Sequence, residues 1–129
     1  MTTSTQTNAA PSTVDAAIPV QVQFRHMGES KRVTWLVNQM MERFTKFPIT
    51  GATASVVVDE THHRQKSAVF QVKMKLSVPG EPLYTAQSSE KTGMHDGVYT
   101  AIAEVFESIE RQLIRRHEKR SRRRAQHAA

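Results

Sequence analysis

The chain contains no cysteine, which excludes disulfides, thiolate metal sites and cysteine nucleophiles. Aromatic residues make up 6% of it, with one Trp, two Tyr and five Phe. The Phe residues all fall on apolar stripes, so no set of exposed rings stands out as a platform for stacking several bases. No apolar run approaches the ~20 residues that a membrane-crossing helix needs. Phosphate-binding glycine loops, nucleophile elbows and usefully spaced acid pairs are also missing, and the reading is of a protein that is not an enzyme. The first thirteen residues have neither a charged leader nor an apolar core, so they are not a secretory signal. Their Ser/Thr content resembles a transit peptide, but such peptides are Arg-rich and the first Arg here is Arg25. Residues 1–17 therefore read as a disordered leader on a cytoplasmic protein.

What is present is a concentrated positive charge. Eight of the eighteen Lys and Arg residues fall in the fourteen residues from Arg111 to Arg124, against the single acid Glu118. That stretch carries +7 while the whole chain carries +6, so the remainder is close to neutral at −1. A localised cationic surface draws polyanions through counterion release. Nucleic acid is the ligand class this implies.

At 129 residues the chain is long enough for one domain with one core. Val20, Val22 and Phe24 alternate with Gln21, Gln23 and Arg25, the period of a half-buried strand. Ser30 is a candidate N-cap for a helix over 31–47, where Val33, Leu36, Val37, Met40, Met41, Phe44 and Phe47 recur at spacings of three and four. Pro48 and Gly51 end it. Three strands follow, over 52–59, 68–78 and 83–88, the last two joined by the turn Pro79-Gly-Glu-Pro82. The connection Glu60–Lys66 reads as a polar, mobile loop. From about His95 a second apolar stripe, Val98 to Leu113, predicts a helix that Asp96 caps and that frays near Lys119. The fold class is α+β: a β-α-β-β-β-α two-layer sandwich, a four-stranded sheet with two helices packed on one face. The domain spans 18–118, and 119–129 reads as a basic flexible tail.

On the second helix, Arg111, Arg115, Lys119 and Arg122 recur about a turn apart, and Arg116 and Arg120 flank the apolar stripe. With Arg123 and Arg124 they form the candidate nucleic-acid surface, arginine being suited to bidentate phosphate contacts. Lys73 and Lys75 on the wet sheet face, Arg25, and then Lys31, Arg32, Arg43 and Lys46 extend the same footprint, although scattered lysines are commonly just solvated. Trp35 and Tyr99 lie near stripe margins. His62 and His63, near Asp59 and Glu60, are ligand types, but adjacent histidines point apart and neither helix has a His-x-x-x-His pair. No metal, cofactor, membrane or small-molecule substrate is expected.

Asp96-Gly-Val-Tyr-Thr-Ala-Ile102, followed by Ile109-Glu-Arg-Gln-Leu-Ile-Arg-Arg-His-Glu-Lys119, resembles the ribosome hibernation promoting factor / RaiA (sigma-54 modulation protein) family in its short form. The resemblance covers roughly residues 19–120 and agrees with the element order above. It implies a stasis factor that occupies the decoding region of the small ribosomal subunit, with rRNA as partner. Asp96, Tyr99, Ala101 and Ile102 would set the helix start, and Arg111, Arg115, Arg116, Lys119 and Arg120 would meet rRNA phosphates. Charge reversal at Arg115 and Arg116 is then expected to weaken binding and spare the fold. Ala103 stands where an acid is common in the family, and the first helix has fewer lysines than usual. Nothing after Arg124 matches the dimerisation domain of long members, so a monomer that does not itself pair ribosomes is expected. Two other readings carry different tests. A double-stranded RNA or DNA-binding domain would act off the ribosome, and a metal-assisted hydrolase using His62 and His63 would lose activity on chelation.

Overall fold

Alternation sets the first strand. In β1 (Val20–Arg25), Val20, Val22 and Phe24 pack against the core while Gln21, Gln23 and Arg25 stay exposed. The computed structural model describes residues 18–62, 68–92 and 96–128. The leader 1–17 and His63–Lys66 of the expected loop lie outside the described residues. Ser30 caps α1 (Lys31–Met41), its Oγ accepting from the Val33 amide at 3.2 Å and satisfying one orphan donor of the first turn. Val33, Val37 and Met41 are the buried face of α1.

α1 stops short of the 31–47 span that apolar spacing predicts. Its end tightens into a 3-10 turn, Glu42–Phe44, with Thr45 Oγ1 donating to the Glu42 carbonyl at 2.7 Å. Pro48 disfavours helical geometry at Phe47, and the tighter winding carries Phe44 into full burial.

β2 (Thr53–His62) and β3 (Ala68–Ser77) form a long antiparallel pair, from Thr53↔Ser77 to His62↔Ala68. The expected loop is thus corrected: Glu60 and Thr61 are strand residues opposite Phe70 and Val69, because pairing satisfies backbone groups that a loop would leave to water. β4 (Tyr84–Gln87) runs antiparallel to β3. Beyond it, the two-residue β5 (Lys91–Thr92) pairs with Phe70 and Val69, an element too short to show any periodicity. Buried Ser88 links β4 and β5, accepting from the Val72 amide at 2.9 Å through Oγ and donating its own amide to the Val72 carbonyl at 2.8 Å. β1 adds in parallel beside β2, Val20↔Ala54 through Arg25↔Asp59, with α1 as its crossover. The path β1-β2-β3-β4, with β5 also on β3, is a mixed sheet.

α2 (Asp96–Ala128) lies over β3, β4 and β5, and α1 over β1, both on one face. Val98, Ala101, Ile102, Val105, Phe106, Ile109 and Leu113 meet Val56, Val58, Val72, Met74 and Leu76 in one buried cluster. Phe44 and Phe106 stack across the helix seam with ring centroids 5.6 Å apart. The two-layer α+β sandwich follows from these stripes having one shared apolar surface to cover.

α2 does not fray near Lys119. It remains helical to Ala128, standing roughly 20 Å past Leu113, its last buried residue among those described, at ~1.5 Å per residue. Arg, Lys, Gln and Ala are strong helix formers, no Gly or Pro follows Gly97, and cations near a helix C-terminus suit its dipole. Asp96 is the first helical residue; its side chain, and so its capping role, lies outside what is described.

A candidate nucleic-acid interface

The helical twist divides the cations of α2 into two rows. Arg111, Arg115, Lys119 and Arg122 are exposed along the solvent side, with no ion pair among the described residues. Arg116 and Arg120 point instead at the β3–β4 turn. There Glu81, only 7% exposed, stands 3.1 Å from Arg116 Nε and 3.5 Å from Arg120 Nη1. The Arg116 Nε–H is not aimed at that carboxylate and has no hydrogen-bond acceptor, so the contact is Coulombic rather than directed. Gly80, at φ 81°, lets the turn double back, and the Glu81 amide donates to the Val78 carbonyl at 3.0 Å. Tyr84 Oη donates to Glu81 Oε1 from the start of β4.

This arrangement leaves a signature on Tyr84. Burial, then its hydrogen bond to Glu81 and the nearby Glu81 charge, push the phenol up to about 12, while Arg116 and Arg120 pull it down. A folded value above the ordinary ~10 means that the contribution to stability is complete below pH 10 and is lost as pH rises from 10 through about 12. In a Tyr99→Phe background, which leaves one tyrosine, the phenolate absorbance step is expected at about pH 12. Glu81→Gln should bring it part of the way back, since burial remains. A step at the ordinary tyrosine value in that single-tyrosine background would refute the Tyr84–Glu81 contact.

A second acid fastens the helices together. Glu110 on α2 accepts from Arg43 Nη2 at 2.9 Å and lies 3.0 Å from Lys46 Nζ. Arg43 and Lys46 therefore hold the end of α1 against α2. Sequence reading missed both Glu81 and Glu110. The only hint for Glu110 was an acid one position from Ile109 of the apolar stripe; Glu81, in a turn, had none.

The remaining sequence candidates are scattered. Lys73 and Lys75 are exposed on the sheet face opposite the helices, because Val72, Met74 and Leu76 point into the core. They share no surface with the α2 row. Arg25 ends β1, two strands from β3, beside Asp59, whose Oδ1 lies 2.8 Å from His26 Nδ1. The side chains of Arg123 and Arg124 lie outside those described. Among the described residues, no three His, Cys, Asp or Glu side chains gather as a metal site, and no helix is long and apolar enough to cross a membrane.

Comparison with known proteins adds independent findings. A family model described as Sigma 54 modulation protein / S30EA ribosomal protein matches residues 20–121. No curated protein matches significantly. The Protein Y N-terminal domain of Thermus thermophilus superposes with a TM-score of 0.54 at 16% identity, covering 76% of this chain and 98% of that one. A ribosomal subunit interface protein from Coxiella burnetii gives 0.55 at 12% identity, covering 78% and 99%. At these identities the likeness is one of fold, and the same sandwich recurs in both. The family model spans most of the chain, from β1 to Ser121 within α2, and the chain belongs to the Sigma 54 modulation protein / S30EA ribosomal protein family.

Proposed function

We propose that this protein is a translation-silencing factor that binds the small ribosomal subunit in its decoding region, through rRNA contacts from α2. Family membership supports a ribosomal partner, and one neighbour of the same fold is a ribosomal subunit interface protein. The observation that carries the reading is the solvent-facing row Arg111, Arg115, Lys119 and Arg122, which makes no ion pair among the described residues although Glu118 lies on the same helix face. Cations a turn apart on a rigid helix match phosphates without first breaking internal ion pairs. Such contacts give strong, reversible, salt-sensitive binding, the behaviour of a plug rather than of a catalyst. The protein acts in the cytoplasm as a monomer.

The test is co-sedimentation with purified small and large subunits across a salt series. Binding to small subunits should fall steeply and linearly in log–log form, with a slope of roughly −3 or steeper if four cations meet single-stranded or irregular rRNA phosphates. Adding mRNA and initiator tRNA first should exclude the protein. Equal binding to both subunits, or to naked duplex RNA as tightly as to small subunits, would favour a duplex-binding domain acting off the ribosome.

A further inference from the structure

We propose that Trp35 is a base-stacking site, and that the outward side of α1 seats an unpaired RNA nucleotide. The inference rests on the ribosome-binding reading and deepens it by naming a second contact of different chemistry. Trp35 is the only tryptophan and is 62% exposed, whereas the Phe side chains are buried or half-buried. Apolar spacing put it at a stripe margin; the structure turns it away from Val33, Val37 and Met41.

The ring borders a cleft of about 480 Å³ between α1 and β1, the edge strand among the described residues, lined by Val22, Phe24, Ser30, Thr34 and Asn38. That volume lies within the ~300–1,000 Å³ of small-ligand sites. Lys31 and Arg32 lie four and three residues before Trp35, one helical turn (~5.4 Å) away, comparable to the reach from a nucleotide's phosphate to its base. Both cations are exposed and neither has an ion pair among the described residues. Glu29 is the one acid lining the cleft among the described residues. Asn38 Nδ2 donates to the Thr34 carbonyl at 2.8 Å, which leaves its Oδ1 to accept from the exocyclic amine of a base.

Charge decides between occupants. A second copy of this chain would bring another +6 body against unpaired cations, whereas RNA neutralises them. An indole also stacks on any base. α1 and α2 cover the same sheet face, opposite Lys73 and Lys75.

The single tryptophan is its own reporter. Titrating the full chain with short oligoriboadenylate should quench its emission saturably, while an abasic strand of equal length and charge should not. Oligoriboadenylate should bind more tightly than oligouridylate, which lacks the amine. Trp35→Ala should weaken oligonucleotide and small-subunit binding about tenfold, and Trp35→Phe should keep most of the affinity. Both variants should keep the parent's urea midpoint, since the ring is mostly in water. Unmoved emission on saturation, or Trp35→Ala binding like the parent, overturns the site. So does emission that changes with protein concentration alone, which would mark the cleft as a contact between copies. If small subunits bind parent and Trp35→Ala equally, this inference falls and the ribosome reading stands. If oligoriboadenylate quenches while small subunits go unbound, the stacking site stands and the ribosome reading falls.

Discussion

Arg111→Glu combined with Arg115→Glu is expected to weaken small-subunit binding by at least about a hundredfold at moderate salt, with folding intact. Each substitution turns a phosphate attraction into a repulsion, on side chains that touch no acid among the described residues. The slope of log affinity against log salt should fall in magnitude by about two, one for each lost contact. Circular dichroism and the urea midpoint should match the parent. Arg116→Glu behaves differently, because it sets a carboxylate against Glu81, which is only 7% exposed. It should lower stability whether or not RNA is present. The pair suggested by charge pattern alone, Arg115 with Arg116, would therefore confuse unfolding with lost binding. Small-subunit affinity of the Arg111/Arg115 variant equal to the parent's would remove α2 from the interface.

The largest effect on stability is expected at the helix seam. Phe106 is fully buried and stacks on Phe44 at 5.6 Å between centroids. Phe106→Ala should cost ~3–5 kcal/mol through lost burial and the cavity left behind, set against total stabilities of ~5–15 kcal/mol for domains generally. For a domain of this size that moves the urea midpoint by about 2 M. Phe44→Ala should cost a similar amount, and the double variant less than the sum by ~0.5–1.5 kcal/mol, the part belonging to the ring pair. Strict additivity would show that the rings act independently and that the seam is held elsewhere. The Arg43 and Lys46 contacts to Glu110 lie nearer the surface, the cations being 43% and 60% exposed, so removing them should cost far less.

Both helices, the long hairpin and the sandwich were legible because their apolar residues repeat with periods that the chain carries locally. The short structures were not. The 3-10 turn at Glu42–Phe44 and the two-residue β5 have no period to read, and β2 gained Glu60 and Thr61 only because β3 offered partners. The basic helix was legible as a charge run, but which of its cations meet an acid was not. Of the eight cations between Arg111 and Arg124, two face Glu81, thirty-five or more positions earlier in the chain.

By itself, then, the order of residues determined an α+β sandwich, a helix ending in concentrated positive charge, and the absence of thiol chemistry. Each depends on composition or on spacing along a few turns. Only the tertiary structure decided that β1 joins the sheet in parallel at its edge, that Arg116 and Arg120 belong to Glu81, and that Trp35 faces water. Those outcomes depend on which distant residues meet. Charge pairing falls off with distance in space and is indifferent to distance in sequence, so the chain had to fold before its free cations could be told from its paired ones.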